Sequence, residues 1–222
     1  MKSEIEEAKK GGVPVIASIY GFTGDEYAKA ASVAQEAGAD ALELNISCPH
    51  VEEVGVEIGR DPDLVSKVTK AAKTNFEGPL IVKLSPNVSD IVEIAEAASK
   101  AGAKALTAIN TVKAIAIDVE TRRPILGGKF GGLSGPAMKP IALRCVYELY
   151  EKTSLPIIGC GGITNWRDVV EFLLAGASAV QVGSALVNKD LAIFKELAEG
   201  LSAYLGSHGH SRPEEIVGTA HA

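Results

Sequence analysis

Ala37-Gly38-Ala39-Asp40 closes an alanine-rich helical pattern and opens onto Ala41-Leu42-Glu43-Leu44, a short apolar run. The pattern returns twice, as Ala101-Gly102-Ala103-Lys104 and Ala175-Gly176-Ala177-Ser178, each time between a helical pattern and an apolar run. A glycine at that point stops a helix, because it adopts at little cost the left-handed conformation that other residues resist. Three proline-led runs alternate with these: Pro14-Val15-Ile16, Pro79-Leu80-Ile81-Val82 and Pro156-Ile157-Ile158. Proline cannot donate to a strand ladder but is tolerated where a strand begins. The resulting order of strand, helix, strand, helix, at roughly thirty residues per unit, is that of a parallel βα array.

Working outward, the pattern predicts strands at 13–20, 41–47, 80–85, 105–110, 156–161 and 179–184. Helices are predicted at 25–37, 61–75, 88–101, 138–152, 166–175 and 189–205. The interval after Asn110 is too long for a simple connection. Within it, a small hairpin near 114–126 is expected above the barrel mouth, followed by a mobile glycine-rich loop at 127–136. Six βα units are two short of a closed (β/α)8 TIM barrel, which runs to about 250 residues. The expected fold is therefore α/β, a (β/α)8-barrel type with six of eight units evident. Residues 1–222 read as a single domain, and with only twelve residues ahead of the first strand, as one lacking its first two units.

The 222 residues are 46% apolar with 23 glycines, enough for one packed core with many tight turns. A net charge of −6 and a pI near 5.3 argue against nucleic acid or an anionic membrane as main partner. No apolar run approaches the roughly 18 residues of a spanning helix, and the lysine-rich amino terminus has no apolar segment behind it. A cytoplasmic protein is expected. Cys48, Cys145 and Cys160 are spaced too widely for a metal-binding pair, and neither a metal site nor a disulfide framework is expected. His208, His210 and His221 fall in a polar tail and read as solvated.

Ligands in parallel α/β folds bind at the carboxyl ends of the strands. Asn45-Ile46-Ser47-Cys48-Pro49-His50 lies at such an end, where Pro49 stops the strand and leaves an amide, a hydroxyl and a thiol on the rim. A free cysteine is commonly a small buried hydrophobe, but the polar pair before Cys48 and the chain-breaker after it favour a functional thiol. Lys83 interrupts the apolar strand Leu80-Ile81-Val82-Lys83-Leu84. It either snorkels at an edge or faces the barrel mouth and meets an anionic or electron-rich group. The amide of Asn110 can donate and accept toward a planar polar heterocycle. Gly161-Gly162 and Gly183-Ser184 close the last two strands. They are either ordinary turn residues or a phosphate cradle, since backbone N–H groups reach a phosphate most closely where no Cβ intervenes.

Together these segments carry a family resemblance. Asn45-Ile46-Ser47-Cys48-Pro49, Val82-Lys83-Leu84-Ser85-Pro86-Asn87, Ile109-Asn110-Thr111, Gly131-Gly132-Leu133-Ser134-Gly135-Pro136-Ala137 with Lys139-Pro140, Gly161-Gly162-Ile163 and Gly176-Ala177-Ser178-Ala179-Val180-Gln181-Val182-Gly183 closely resemble class 1 dihydroorotate dehydrogenases. These are FMN enzymes of pyrimidine biosynthesis built on the (β/α)8 barrel, and the likeness runs from about Val13 to the end. It implies oxidation of dihydroorotate to orotate, with Cys48 as the base at C5 while C6 delivers hydride to FMN. A serine in place of Cys48 would suggest the membrane-associated class 2. By the same resemblance Asn45 would touch both substrate and flavin, and Lys83 would stabilise negative charge on the reduced ring. Ile109 would line the flavin, and Asn110 and Thr111 would bind the pyrimidine. Gly135, Gly161, Gly162, Gly183 and Ser184 would hold FMN, the last four around its phosphate. The electron acceptor would be fumarate, or NAD through an iron–sulfur flavoprotein partner; Asn110-Thr111-Val112 and the hairpin look more like the partnered subclass.

Two departures stand out. The family usually has an asparagine contacting the ring where this chain has His50, and Cys-Pro-His resembles instead the pyrimidine-reducing domain of dihydropyrimidine dehydrogenase. Uracil-type substrates therefore stay open. The family's first two units, which supply further flavin contacts and a substrate loop, have no counterpart here. An incomplete barrel is expected to be homo-oligomeric or aggregation-prone. The alternatives are a non-catalytic FMN- or phosphate-binding barrel and a lyase or isomerase using the phosphate site alone.

Overall fold

The computed structural model describes residues 1–47 and 58–221. Helix α1 (Lys2–Lys9) precedes β1 (Ile16–Ile19), α2 (Gly24–Glu36), β2 (Ala41–Asn45), α3 (Pro62–Thr74), β3 (Leu80–Leu84), α4 (Ile91–Lys100) and β4 (Ala105–Ala108). Four short strands follow, β5 (Val112–Ala114), β6 (Ile117–Asp118), β7 (Arg123–Pro124) and β8 (Gly131–Leu133). The chain continues through α5 (Lys139–Lys152), β9 (Ile157–Cys160), α6 (Trp166–Leu174), β10 (Ala179–Gln181), α7 (Leu186–Lys189) and α8 (Ala192–Ser207).

Six strands form one parallel sheet in the order β1-β2-β3-β4-β9-β10, so spatial order follows chain order with helices between. The sheet curls on itself. Ser18 on edge strand β1 and Gln181 on edge strand β10 both bond the Glu43 carboxylate on β2, at 3.0 and 2.7 Å, which brings the two edges to one point. The result is a half-barrel with helices packed outside.

Each Ala-Gly-Ala repeat does two jobs. Gly38, Gly102 and Gly176 take φ of +75°, +110° and +111° directly after α2, α4 and α6. The flanking N–H groups return to the last helical turn (Gly38 to Gln35 and Ala39 to Ala34, Gly102 to Ser99 and Ala103 to Ala98, Gly176 to Leu173 and Ala177 to Phe172), a paired stop that satisfies the terminal carbonyls. The next residue joins the sheet: the N–H groups of Asp40, Lys104 and Ser178 donate to Val15, Leu80 and Ile157 at 2.8–2.9 Å. Helix starts are equally explicit. Thr23–Glu26 and Asn165–Asp168 form capping boxes, and the Asp61 and Asp90 carboxylates cap α3 and α4.

The core lies between sheet and helices. Leu42, Leu44, Leu80, Val82, Leu84 and Leu106 have no exposed surface, and each contributes roughly 2 kcal/mol by leaving water. Ala31 and Ala34 of α2 and Ala72 of α3 are also fully buried, which lets adjacent helices lie close.

Several expectations need correction. The sheet strands are shorter than predicted, β1 covering Ile16–Ile19 of 13–20, because the chain leaves the ladder before the apolar pattern ends. The hairpin expected near 114–126 is present as β6–β7, but the glycine-rich stretch after it is not simply a loop. Gly131–Leu133 pairs antiparallel with Val112–Ala114, and a smaller β6–β7 hairpin projects from that ladder. His221 is not solvated: 13% of its side chain is exposed, and its ring stacks on Tyr147 at 3.6 Å. Cys145 and Cys160 are free thiols. Among the described residues, no helix is long and apolar enough to cross a membrane, and no group of three His, Cys, Asp or Glu side chains could hold a metal ion.

Candidate active site

A cavity of about 210 Å³ opens at the carboxyl ends of β3, β4, β9 and β10. Its lining includes Lys83, Ile109, Asn110, Thr111, Gly135, Cys160, Gly161, Gly162, Gly183 and Ser184. Three larger grooves, about 550, 480 and 250 Å³, lie on the outer helical surface, but none gathers strand-end residues. The smaller, strand-end cavity is therefore the better candidate.

Parallel register sets Asn45 of β2 directly beside Lys83 of β3. The Asn45 side-chain oxygen accepts from Asn110 Nδ2 at 2.9 Å and from the Ser47 N–H at 3.2 Å. Its carbonyl accepts from the Tyr27 hydroxyl at 2.7 Å, pinning the strand end against α2. Asn110 is held at both ends, since its N–H donates to Leu84 O and its side-chain oxygen accepts from the Thr111 N–H, each at 2.8 Å. The Ile109 N–H donates to Cys160 O at 2.8 Å, stitching β4 to β9 beneath the cavity. Asn45, Lys83, Ile109, Asn110 and Thr111 thus converge on one rim. Cys48 and His50 lie outside the described residues. Ser47 Oγ, adjoining them in sequence, is buried with no hydrogen-bond partner in the described structure.

Gly161 and Gly162 take φ of +129° and +78°, and a Cβ on Gly162 would meet Lys139 N at 2.9 Å and Gly135 O at 3.0 Å. Only glycine fits there, and it brings the β9 loop against the residues that start α5. A Cβ built on Gly183 meets nothing within 4 Å, so the β10 end is open. Lys139 braces this cradle through Asp168 Oδ1 at 2.7 Å and Glu171 Oε2 at 2.6 Å. Asp168 Oδ2 accepts from the Thr164 and Asn165 N–H groups and from both their side chains. Burial pushes the Asp168 carboxyl up, but the Lys139 ammonium and these donors outweigh it and hold it below the usual carboxylate range. Hydrogen bonds to Asp168 and Glu171 hold the Lys139 ammonium above its ordinary value. A backbone cradle with exposed Ser184 at its lip suits a phosphate, and the amides and ammonium beside it suit a polar ring.

Sequence reading missed the floor of the site. Glu43 accepts from Ser18 Oγ at 3.0 Å, Thr107 Oγ1 at 2.8 Å and Gln181 Nε2 at 2.7 Å. Lys83 Nζ donates to Gln181 Oε1 at 2.9 Å and stands 3.7 Å from Glu43 Oε1. The lysine is not snorkelling: 19% of its side chain is exposed, and its anion is supplied by the chain itself. Burial pushes the Cys160 thiol up, and the Lys83 ammonium only partly offsets this, so Cys160 is a poor thiolate. The available signal was a lone charge in an aliphatic strand, the feature that marked Lys83 and that Glu43 shares. Asn87 was also passed over; its amide bonds Thr111 O and receives the Lys113 N–H, holding Thr111 at the rim.

The family model for dihydroorotate dehydrogenase matches residues 1–205. The catalytic subunit of dihydroorotate dehydrogenase B (NAD(+)) from Pyrococcus abyssi is 55% identical over 212 residues, which cover 96% of this chain and 71% of that protein. Its counterpart from Pyrococcus furiosus is 53% identical over 221 residues, 99% of this chain and 73% of that one. Among solved structures, DHODH from Eimeria tenella in complex with ferulenol superposes with a TM-score of 0.75 at 24% identity, a likeness of fold. That match covers 89% of this chain and 58% of the Eimeria chain, so this chain spans less than two thirds of its length. With a matching family model over nearly its whole length, a relative more than half identical to it, and a parallel half-barrel whose strand ends converge on one cavity, the chain belongs to the dihydroorotate dehydrogenase family of oxidoreductases.

Proposed function

We propose that this chain is an FMN-dependent catalytic subunit of the NAD-linked, class 1 type, oxidising dihydroorotate to orotate. The observation that carries the reading is the convergence of Asn45, Lys83, Asn110 and Thr111 on one rim, opposite the Gly161-Gly162 and Gly183-Ser184 cradle. Bound FMN supplies the hydride acceptor. Gly161, Gly162, Gly183 and Ser184 hold the phosphate, Gly135 and Ile109 flank the flavin, and Lys83 brings positive charge to it. Asn110 and Thr111 orient the pyrimidine, and Asn45 bridges the two ligands. Cys48 takes the proton from C5 of dihydroorotate, a role that requires its thiol to be poised as a base. The relatives' name, catalytic subunit, supports a separate electron-transfer partner, by the family resemblance an iron–sulfur flavoprotein.

Purified protein is expected to be yellow, with flavin absorbance that bleaches on anaerobic mixing with dihydroorotate. Flavin without bleaching favours a non-catalytic FMN-binding barrel, and absence of flavin favours a lyase or isomerase. A second reading, a uracil-type dihydropyrimidine substrate, rests on His50. If His50 contacts the ring, His50→Asn shifts the dihydroorotate-to-dihydrouracil preference; an unchanged ratio removes His50 from the site.

A further inference from the structure

Glu43 lies beneath the cavity, outside its lining, and 5% of its side chain is exposed. A buried carboxylate is costly unless its oxygens are matched by donors. Here Ser18 of β1, Thr107 of β4 and Gln181 of β10 all donate to it. Gln181 has its polarity dictated by this arrangement. Its Nε2 is spent on Glu43, so its Oε1 faces the other way and accepts from Lys83. Lys83 is therefore held by two opposed pulls, the Gln181 oxygen at 2.9 Å and the Glu43 carboxylate at 3.7 Å. One draws the ammonium along the cavity wall, and the other draws it down into the floor.

We infer that Glu43 and Gln181 are positioning residues that set how much of the Lys83 positive charge reaches the ligand in the cavity. Glu43 offsets the ammonium, and Gln181 keeps it from collapsing onto the carboxylate. The inference rests on the proposed flavin site and goes beyond it by assigning the control of that site's charge to Glu43, which lies outside the cavity lining, and to Gln181, which lines the cavity beside Lys83.

The test is sulfite titration of the FMN-loaded protein, since the sulfite adduct places negative charge on the flavin and its dissociation constant reports nearby positive charge without turnover. Glu43→Gln removes the offsetting charge and is expected to tighten sulfite binding about tenfold, a change a single uncompensated charge a few ångströms away readily produces. The flavin midpoint potential should rise in step, by about 30 mV for a tenfold change in a two-electron couple. Gln181→Met keeps both charges but frees the ammonium to settle on Glu43, and is expected to weaken sulfite binding about threefold or more. Opposite signs are the signature, because mere loosening of the floor moves both variants the same way. Glu43→Asp should return the sulfite constant toward the parent value. If Glu43→Gln fails to fold, Gln181→Met is read beside FMN affinity: weaker sulfite binding with FMN affinity unchanged supports the inference, whereas an unchanged sulfite constant, or weakening shared by sulfite and FMN, overturns it. Parent protein that binds flavin while neither variant shifts the constant overturns this inference alone, whereas parent protein that binds no flavin overturns the proposed function too.

Discussion

Lys83 and Glu43 carry the same mark, a single charge in an aliphatic strand, and they prove to be partners in one buried network. Such a charge persists only where something answers it, yet only Lys83 was singled out from the sequence; which groups answered required β1, β4 and β10 to curl over β2. For Cys48, the expected outcome of Cys48→Ala is at least a hundredfold loss of substrate-driven flavin reduction with FMN still bound, because general base catalysis contributes about 10²–10⁴-fold. Loss of FMN together with activity would contradict the assigned role. Asp168 offers a stability test. Its carboxyl is held below the ordinary 3.8, so its contribution is present above that value and lost as pH falls through the depressed one. Asp168→Asn is expected to cost about 1–3 kcal/mol near neutrality by urea denaturation, with the gap to the parent narrowing below about pH 4. Lys139, raised above 10.5, keeps its share until pH passes that value. A gap that stays constant from pH 7 to pH 3 would remove the ion pair from the account.

At the level of elements, helices and strand starts were readable because their signals are local. An Ala-Gly-Ala stop, an Asp or Asn cap and a leading proline each act within a few residues of where they stand. The β5–β8 ladder was not readable, since Gly131-Gly132-Leu133 has neither alternation nor β-branched residues and gains its strand form from pairing with Val112–Ala114. That pairing has a consequence for the site. A Cβ on Gly132 would stand 2.2 Å from Thr111 Oγ1, so Gly132→Ala must either lift β8 or turn Thr111 away. The expected result is a KM for dihydroorotate raised on the order of tenfold, with FMN affinity nearly unchanged. Equal losses of substrate and flavin binding would show that the ladder supports the whole cavity and not Thr111 in particular.

For the molecule as a whole, the curled sheet has two edges, β1 and β10. Apolar side chains stand open in and around them, among them Ile16 and Tyr20 at β1, and Val187 and Leu191 at 87% and 74% exposure beyond β10. Unpaired parallel edges with apolar flanks promote association. A longer chain that lays two further βα units against these edges, on the order of sixty to eighty residues, is expected to bind FMN more tightly and to self-associate less. Sedimentation and FMN titration of both chains check this. A 222-residue chain that stays monomeric and binds FMN equally well would show that the edges need no cover.

By itself the sequence determined the repeating βα order and the strand ends at which the candidate residues Asn45, Lys83, Asn110, Gly161 and Gly162 stand. Those features follow from short-range rules of capping, backbone freedom and hydrophobic period. Only the tertiary structure decided that Lys83 meets Glu43, that Gln181 joins them from 138 residues away, and that a glycine-rich loop is a strand over Thr111. Buried polar groups find their partners through curvature and register of the whole sheet, and neither is written in the local pattern of any one strand.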